Sequence, residues 1–110
     1  MNKERTFSQC TLAALQLFAK QIQLGRKQYK WSEHELATRA GISRATLQKI
    51  EKANPGVAIG LFFEVAVLVG VTLFDEDEQQ LATARTQIEQ TLKLLPKSIH
   101  KSAQELDDEF

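Results

Sequence analysis

Cysteine, proline, histidine and tryptophan are scarce in this chain of 110 residues, and each shortage removes a class of answer. A lone cysteine, Cys10, excludes an internal disulfide framework and suits a reducing compartment. Two histidines far apart, His34 and His100, cannot make a zinc site with that thiol in one chain. The strongest apolar run, Val57 to Phe74, is interrupted by Glu64, so no bilayer-spanning segment is expected. No apolar stretch follows Met1-Asn2-Lys3-Glu4-Arg5, so the expectation is a cytoplasmic protein without a signal peptide. A Gly-rich phosphate cradle is also missing. The size allows one domain with at most an appendage, and no enzyme activity, cofactor or metal is expected.

Charge is present in balance but not in mixture. Residues 1–56 hold ten Lys or Arg against four acids, a net of +6, and residues 57–110 reverse this to −6. The first half can concentrate the field of a polyanion, while the second is repelled by it.

The apolar period is helical throughout, which predicts an all-α fold of about five helices. Thr6-Phe7-Ser8-Gln9 reads as a capping box, followed by Leu12, Leu15, Phe18, Ala19 and Ile22 on one face of a helix reaching about Gln28. Ser32-Glu33-His34-Glu35 is a second such box opening a short helix, Glu33 to Ala40, which Gly41 ends. Ser43 caps the next helix, Arg44 to Ala53, and Asn54-Pro55-Gly56 stops it with Asn54 as the left-handed residue. Val57 to Val69 is apolar almost all round and should be buried on most sides. Asp75-Glu76-Asp77-Glu78 opens a fifth helix, with acids at the positive end of its dipole, and Pro96 stops it. Those acids lack the glycine and late glutamate of a calcium loop. The division expected is 1–74 for the main domain, 75–96 for a C-terminal helix and 97–110 for an acidic tail.

Two short helices joined by Gly41-Ile42-Ser43 make a helix-turn-helix over about residues 33–52. Leu36, Ala37, Ala40, Ile42, Leu47 and Ile50 form its wedge of core, leaving Arg44, Ala45, Gln48, Lys49 and Lys52 outward. A helix with such a face suits the DNA major groove. From Trp31 to Glu51 the sequence resembles the Xre/Cro repressor family nearly position by position.

That resemblance implies base-reading roles for Ser43, Arg44, Ala45, Gln48 and Lys49. Arg44 would address guanine O6 and N7, Ala45 a thymine methyl, and Lys49 a guanine or a phosphate. Lys30, Ser32, Thr46, Lys52 and Asn54 would contact phosphate, with a merely solvated charge the other reading for Lys52. Glu33 departs from the glutamine usual in the family. Its carboxylate either turns aside, accepts from cytosine N4, or weakens a phosphate contact. His34 lies beside it near the DNA face. The family also pairs an arginine of the first helix with an acid ending the recognition helix, here Arg26 and Glu51; the alternative is two exposed charges that never meet.

The excess of apolar residues in Val57–Phe74, with Leu81, Ile88 and Leu95 spaced by seven, predicts a homodimer. Its interface would use Phe62, Val65, Val69, Leu81, Ile88 and Leu95, and its operator would be an inverted repeat in double-stranded DNA. Trp31, Phe62, Phe63 and Phe74 are expected in core or interface rather than stacked on bases, and Cys10 is expected to be buried in helix one. The run Pro55-Gly-Val-Ala-Ile-Gly60 and the ending Leu68-Val-Gly-Val-Thr-Leu-Phe74 look like the HipB antitoxin branch. This narrower resemblance implies an autorepressor with a HipA-like kinase toxin as partner, for which the acidic tail is a candidate contact. The competing reading is a free-standing or phage-type regulator without a toxin.

Overall fold

The computed structural model describes residues 5–97. The acidic tail Glu105–Phe110 therefore lies outside the described residues. The described residues form five helices and no strand: α1 (Gln9–Gln28), α2 (Glu33–Ala40), α3 (Arg44–Glu51), α4 (Ile59–Leu68) and α5 (Glu78–Lys93). Two compact units divide after Asp75, the first holding α1–α4 and the second α5.

In the first unit α1 supplies Ala19 and Ile22, α2 Leu36 and Ala37, α3 Leu47 and Ile50, and α4 Phe62, Val65 and Ala66, with Val69 just beyond it, to one core. Leu15, Phe18, Trp31, Ala40 and Ile42 pack against its edge. Glycine is unfavourable within a helix, yet Gly25 stands in the last turn of α1, because a Cβ there would lie 2.7 Å from the Val69 carbonyl oxygen. The missing side chain lets α1 cross closely over the end of α4.

Start signals are local and differ in two cases from the sequence pattern. Ser32 and Ser43 accept from the N–H groups of Glu35 and Thr46, each at 3.0 Å, fixing the starts of α2 and α3. Glu35 does not complete its box; its carboxylate accepts from Arg39 Nε at 2.9 Å instead. The expected box at Thr6 and Gln9 is not formed. Ser8 caps α1, accepting from the Thr11 N–H at 3.1 Å and donating to the Thr11 hydroxyl at 3.0 Å, so two partners favour the later start.

Four helix ends share a single device. The residue two past the cap region donates back to a carbonyl one turn earlier: Trp31 to Arg26, Ile42 to Ala37, Asn54 to Lys49 and Val71 to Ala66, at 2.9–3.1 Å. Each requires one left-handed residue before it. Gly41 and Gly70 meet that requirement, but so do Lys30 and Ala53, both at φ 62°. α3 accordingly ends at Glu51, and Ala53 rather than Asn54 is left-handed. Asn54 holds the following loop, its Oδ1 accepting from the Gly56 N–H at 2.7 Å.

Two further expectations are overturned. Phe62, Val65 and Val69 are not on a free face for a dimer, because they are buried in the core where α4 packs on α1 and α2. The apolar side that α4 leaves exposed is Ile59 and Val67. Cys10 is exposed, because it lies in the first turn of α1, well before Ala19, the first buried residue of that helix. Of the aromatics, Phe62 is buried beside Phe18, Trp31 is half-buried against Tyr29 and Arg39, and Phe74 is exposed with its edge to Phe63.

In the second unit Asp77 and Gln80 form a full capping box, Gln80 N–H to Asp77 at 2.7 Å and Asp77 N–H to the Gln80 side chain at 2.8 Å. The helix stops at Lys93, three residues before Pro96. Leu81 is half-buried, whereas Ile88 and Leu95 are exposed. No helix among the described residues is long and apolar enough to cross a membrane.

Candidate nucleic-acid interface

An eight-residue helix is too short to persist by its own hydrogen bonds, so α3 needs a scaffold. Its inner side supplies Leu47 and Ile50 to the core, and its last residue, Glu51, is locked to α1. Arg26 Nε donates to Glu51 Oε2 at 2.7 Å and Nη2 to Oε1 at 3.0 Å, with both side chains under one-tenth exposed. The third nitrogen, Nη1, donates to the Trp31 carbonyl at 3.0 Å. The fork geometry fills the carboxylate and leaves no buried side-chain donor or acceptor among the described residues without a partner. The Glu51 hydrogen bond is the main reason the Arg26 pKa rises above its ordinary value, against the opposing effect of burial. One arginine thus ties α1, the entry to α2 and the end of α3 together.

With α3 held in this way, Arg44, Ala45 and Lys49 are exposed and Gln48 is half-buried. The spacing 45–49–52 and 44–48 gives two adjacent strips on the outer side. Not all the sequence-derived contacts are equally free. Ser43 donates to the Thr46 hydroxyl at 2.9 Å and accepts from its N–H at 3.0 Å, so its hydroxyl is occupied in starting α3. Thr46 keeps its own hydroxyl hydrogen for an outside acceptor such as a phosphate oxygen. Ser32 uses an oxygen lone pair for its cap and keeps its hydrogen too. Asn54 uses its carbonyl oxygen in the loop, which leaves its amide hydrogens. Lys30 and Lys52 are exposed, one at the corner after α1 and the other at the cap of α3. His34 is exposed on the first turn of α2.

The Glu33 carboxylate is engaged within the domain. Its Oε1 accepts from Gln48 Nε2 at 3.1 Å and from Arg44 Nε at 3.3 Å, joining the start of α2 to the outer side of α3. The Gln48 hydrogen bond is the largest influence holding its carboxyl below the usual range, and Arg44 adds to it against some desolvation. The group stays ionised at neutral pH. This cluster was missed because partners eleven and fifteen residues apart leave no periodic trace. The signal available was the glutamate itself, placed where the two-helix geometry meets an arginine and a glutamine.

A second unexpected group lies nearby. Tyr29 and Trp31 stack with ring centroids 4.7 Å apart, and the Arg39 guanidinium lies 4.3 Å from the Trp31 centroid. These contacts hold the corner between α1 and α2, which carries Lys30.

A family model described as "Helix-turn-helix" matches residues 22–75. No curated protein and no solved structure matches the chain. The matched stretch runs from the buried Ile22 of α1 to the last residue of the first unit and includes α2, the turn at Gly41, α3 and α4. Residues 22–75 therefore form a helix-turn-helix domain similar to the Xre-like family, whose members are DNA-binding regulators.

Proposed function

We propose that the protein is a sequence-specific repressor that inserts α3 into the major groove of double-stranded operator DNA. The observation that carries this is the exposed Arg44–Ala45–Lys49 surface on a short helix braced by the buried Arg26–Glu51 pair. Arg44 offers the donor pair that matches guanine, and Lys30, Ser32, Thr46, Lys52 and Asn54 surround it with donors suited to phosphate. Arg44→Ala should cost about 1–3 kcal/mol of operator affinity and relax preference at one base position. Lys52→Ala should weaken all duplexes alike and flatten the salt slope by about one. Unchanged operator binding by Arg44→Ala would overturn the assignment of α3 as the reading helix.

The finer reading is a homodimer on an inverted repeat. Its support is α5, a helix of 16 residues with none buried, on which Ile88 and Leu92 are exposed, with Leu95 exposed just beyond its end. Ile88→Glu should convert the dimer to monomer in sedimentation while leaving the melting of the first unit unchanged. The antitoxin-type autorepressor, with a HipA-like kinase toxin as partner, rests on the sequence of residues 55–60 and 68–74. Expression with its neighbouring genes tests it: a kinase-like protein should co-purify with an antitoxin, and none with a free-standing regulator.

A further inference from the structure

Arg44 and Gln48 are the two long side chains on one strip of α3, and both converge on the same oxygen of Glu33. Long exposed side chains ordinarily sample many rotamers, and a contact with a base must overcome that freedom. Here the choice is narrowed before any DNA arrives. An ionised carboxylate can only accept hydrogen bonds, so Gln48 must turn its amide nitrogen to Glu33, which directs its carbonyl oxygen elsewhere. Arg44 uses Nε on the same carboxylate, and the Nη1 and Nη2 hydrogens are left at the far end of the guanidinium. Glu33 itself is withdrawn, with its side chain 30% exposed against 63% for Arg44. It therefore sits behind the reading residues rather than in front of them.

We propose that Glu33 is a specificity-determining positioning residue, holding Arg44 as an end-on double donor and Gln48 as an acceptor towards the major groove. The bases so read are a guanine, whose O6 and N7 both accept, and a neighbour with an exocyclic amine, adenine or cytosine. This rests on the DNA-binding reading of α3 and goes beyond it by naming what the surface selects. A second consequence follows from charge. Glu33 offsets the Arg44 cation locally, so it lowers affinity for DNA at large while sparing the directed contact, and both effects raise the ratio of specific to non-specific binding.

The test uses the full-length protein and a pool of duplexes selected by binding, followed by titration of the best site, its single-base variants and a scrambled duplex. The wild-type protein should prefer guanine at one position by roughly tenfold to a hundredfold. Glu33→Ala should reduce that preference, and the preference for an amine-bearing base beside it, to about threefold or less. Its affinity for the scrambled duplex should hold or rise. Ser32 still caps α2 in this variant, and an unchanged melting curve would exclude misfolding as the cause. Glu33→Gln, which keeps an accepting oxygen without the charge, should give intermediate preferences. The Arg44→Ala, Glu33→Ala double variant should discriminate no worse at the guanine position than Arg44→Ala alone.

Two results would overturn the proposal. One is a Glu33→Ala protein that keeps both base preferences; the other is tighter operator binding with preferences intact, which would make Glu33 only a repelling charge. A wild-type protein that binds selected and scrambled duplexes equally would instead defeat the repressor reading, and this inference with it. The two failures are thus told apart by whether the unaltered protein discriminates.

Discussion

α3 and α5 are both amphipathic helices, yet they are stabilised by opposite means. α3 has eight residues, three of them buried, and its end is welded to α1 by a two-pronged ion pair. α5 has 16 residues, a complete capping box, an Arg85–Glu89 pair one turn apart at 3.9 Å, and no buried residue. The first helix owes its existence to tertiary structure and the second to its own termini. The difference explains what each can do. A helix fixed from behind can present side chains in a set direction, as reading bases requires. One held only by its caps exposes a full apolar edge, which suits pairing with another surface.

Removing the brace of α3 should have the largest effect. Arg26→Ala or Glu51→Ala each strands a buried charge and should cost about 3–5 kcal/mol of stability, measured by urea unfolding. Replacing both by apolar residues of similar volume should be far milder, because no unpaired charge remains. A single loss below about 1 kcal/mol would mean that the pair does not hold α3 in place.

The close crossing of α1 over α4 comes next. Alanine is normally favoured over glycine inside a helix by about 1 kcal/mol. At Gly25 the added carbon meets the Val69 backbone oxygen, which cannot swing away, so overpacking of about 1–3 kcal/mol should outweigh that gain. Gly60 on α4 is the control: nothing stands within 4 Å of its Cβ position, so Gly60→Ala should raise stability. Equal responses at the two sites would show that the contact with Val69 yields.

Asp77→Ala acts only on local determinants. It removes the oxygen that satisfies Gln80 N–H and should cost α5 about 1 kcal/mol, seen as faster amide exchange in its first turn. Unfolding of the first unit should not change. If α5 were instead held by buried contacts, loss of the cap would leave exchange unaltered.

The sequence is most legible where one residue carries the instruction. Ser32, Gly41 and Ser43 mark the boundaries of α2 and α3, and the wedge of Leu36, Ala37, Leu47 and Ile50 follows from spacing alone. It is least legible where competition decides. Ser8 outbids Thr6 because Thr11 supplies two partners, and nothing in the local pattern ranks the two caps. The apolar run of α4 suggested a surplus for a partner at Phe62, Val65 and Val69, but composition does not say which side the neighbouring helices α1 and α2 consume. The Glu33 cluster was hidden for the same reason. Its meaning depends on the crossing of two helices, not on either helix alone.

The smallest effects separate fold from function at two equivalent corners. Lys30 and Ala53 occupy the same left-handed position after α1 and α3, where a non-glycine residue costs about 1–2 kcal/mol. Glycine relieves that strain but loses about 0.5–1 kcal/mol through its freer unfolded chain, so each substitution should gain no more than about 0.5–1 kcal/mol. The functional consequences should diverge. Ala53→Gly removes one methyl group and should leave DNA binding unchanged. Lys30→Gly removes a cation from the corner held by the Tyr29–Trp31–Arg39 stack, so it should weaken all duplexes and reduce the salt slope by about one. Thermal melts and salt titrations of the two variants provide the comparison. A Lys30→Gly protein that gains stability yet keeps the full salt slope would remove Lys30 from the phosphate-contacting set, while the shared geometry of the two helix ends would stand.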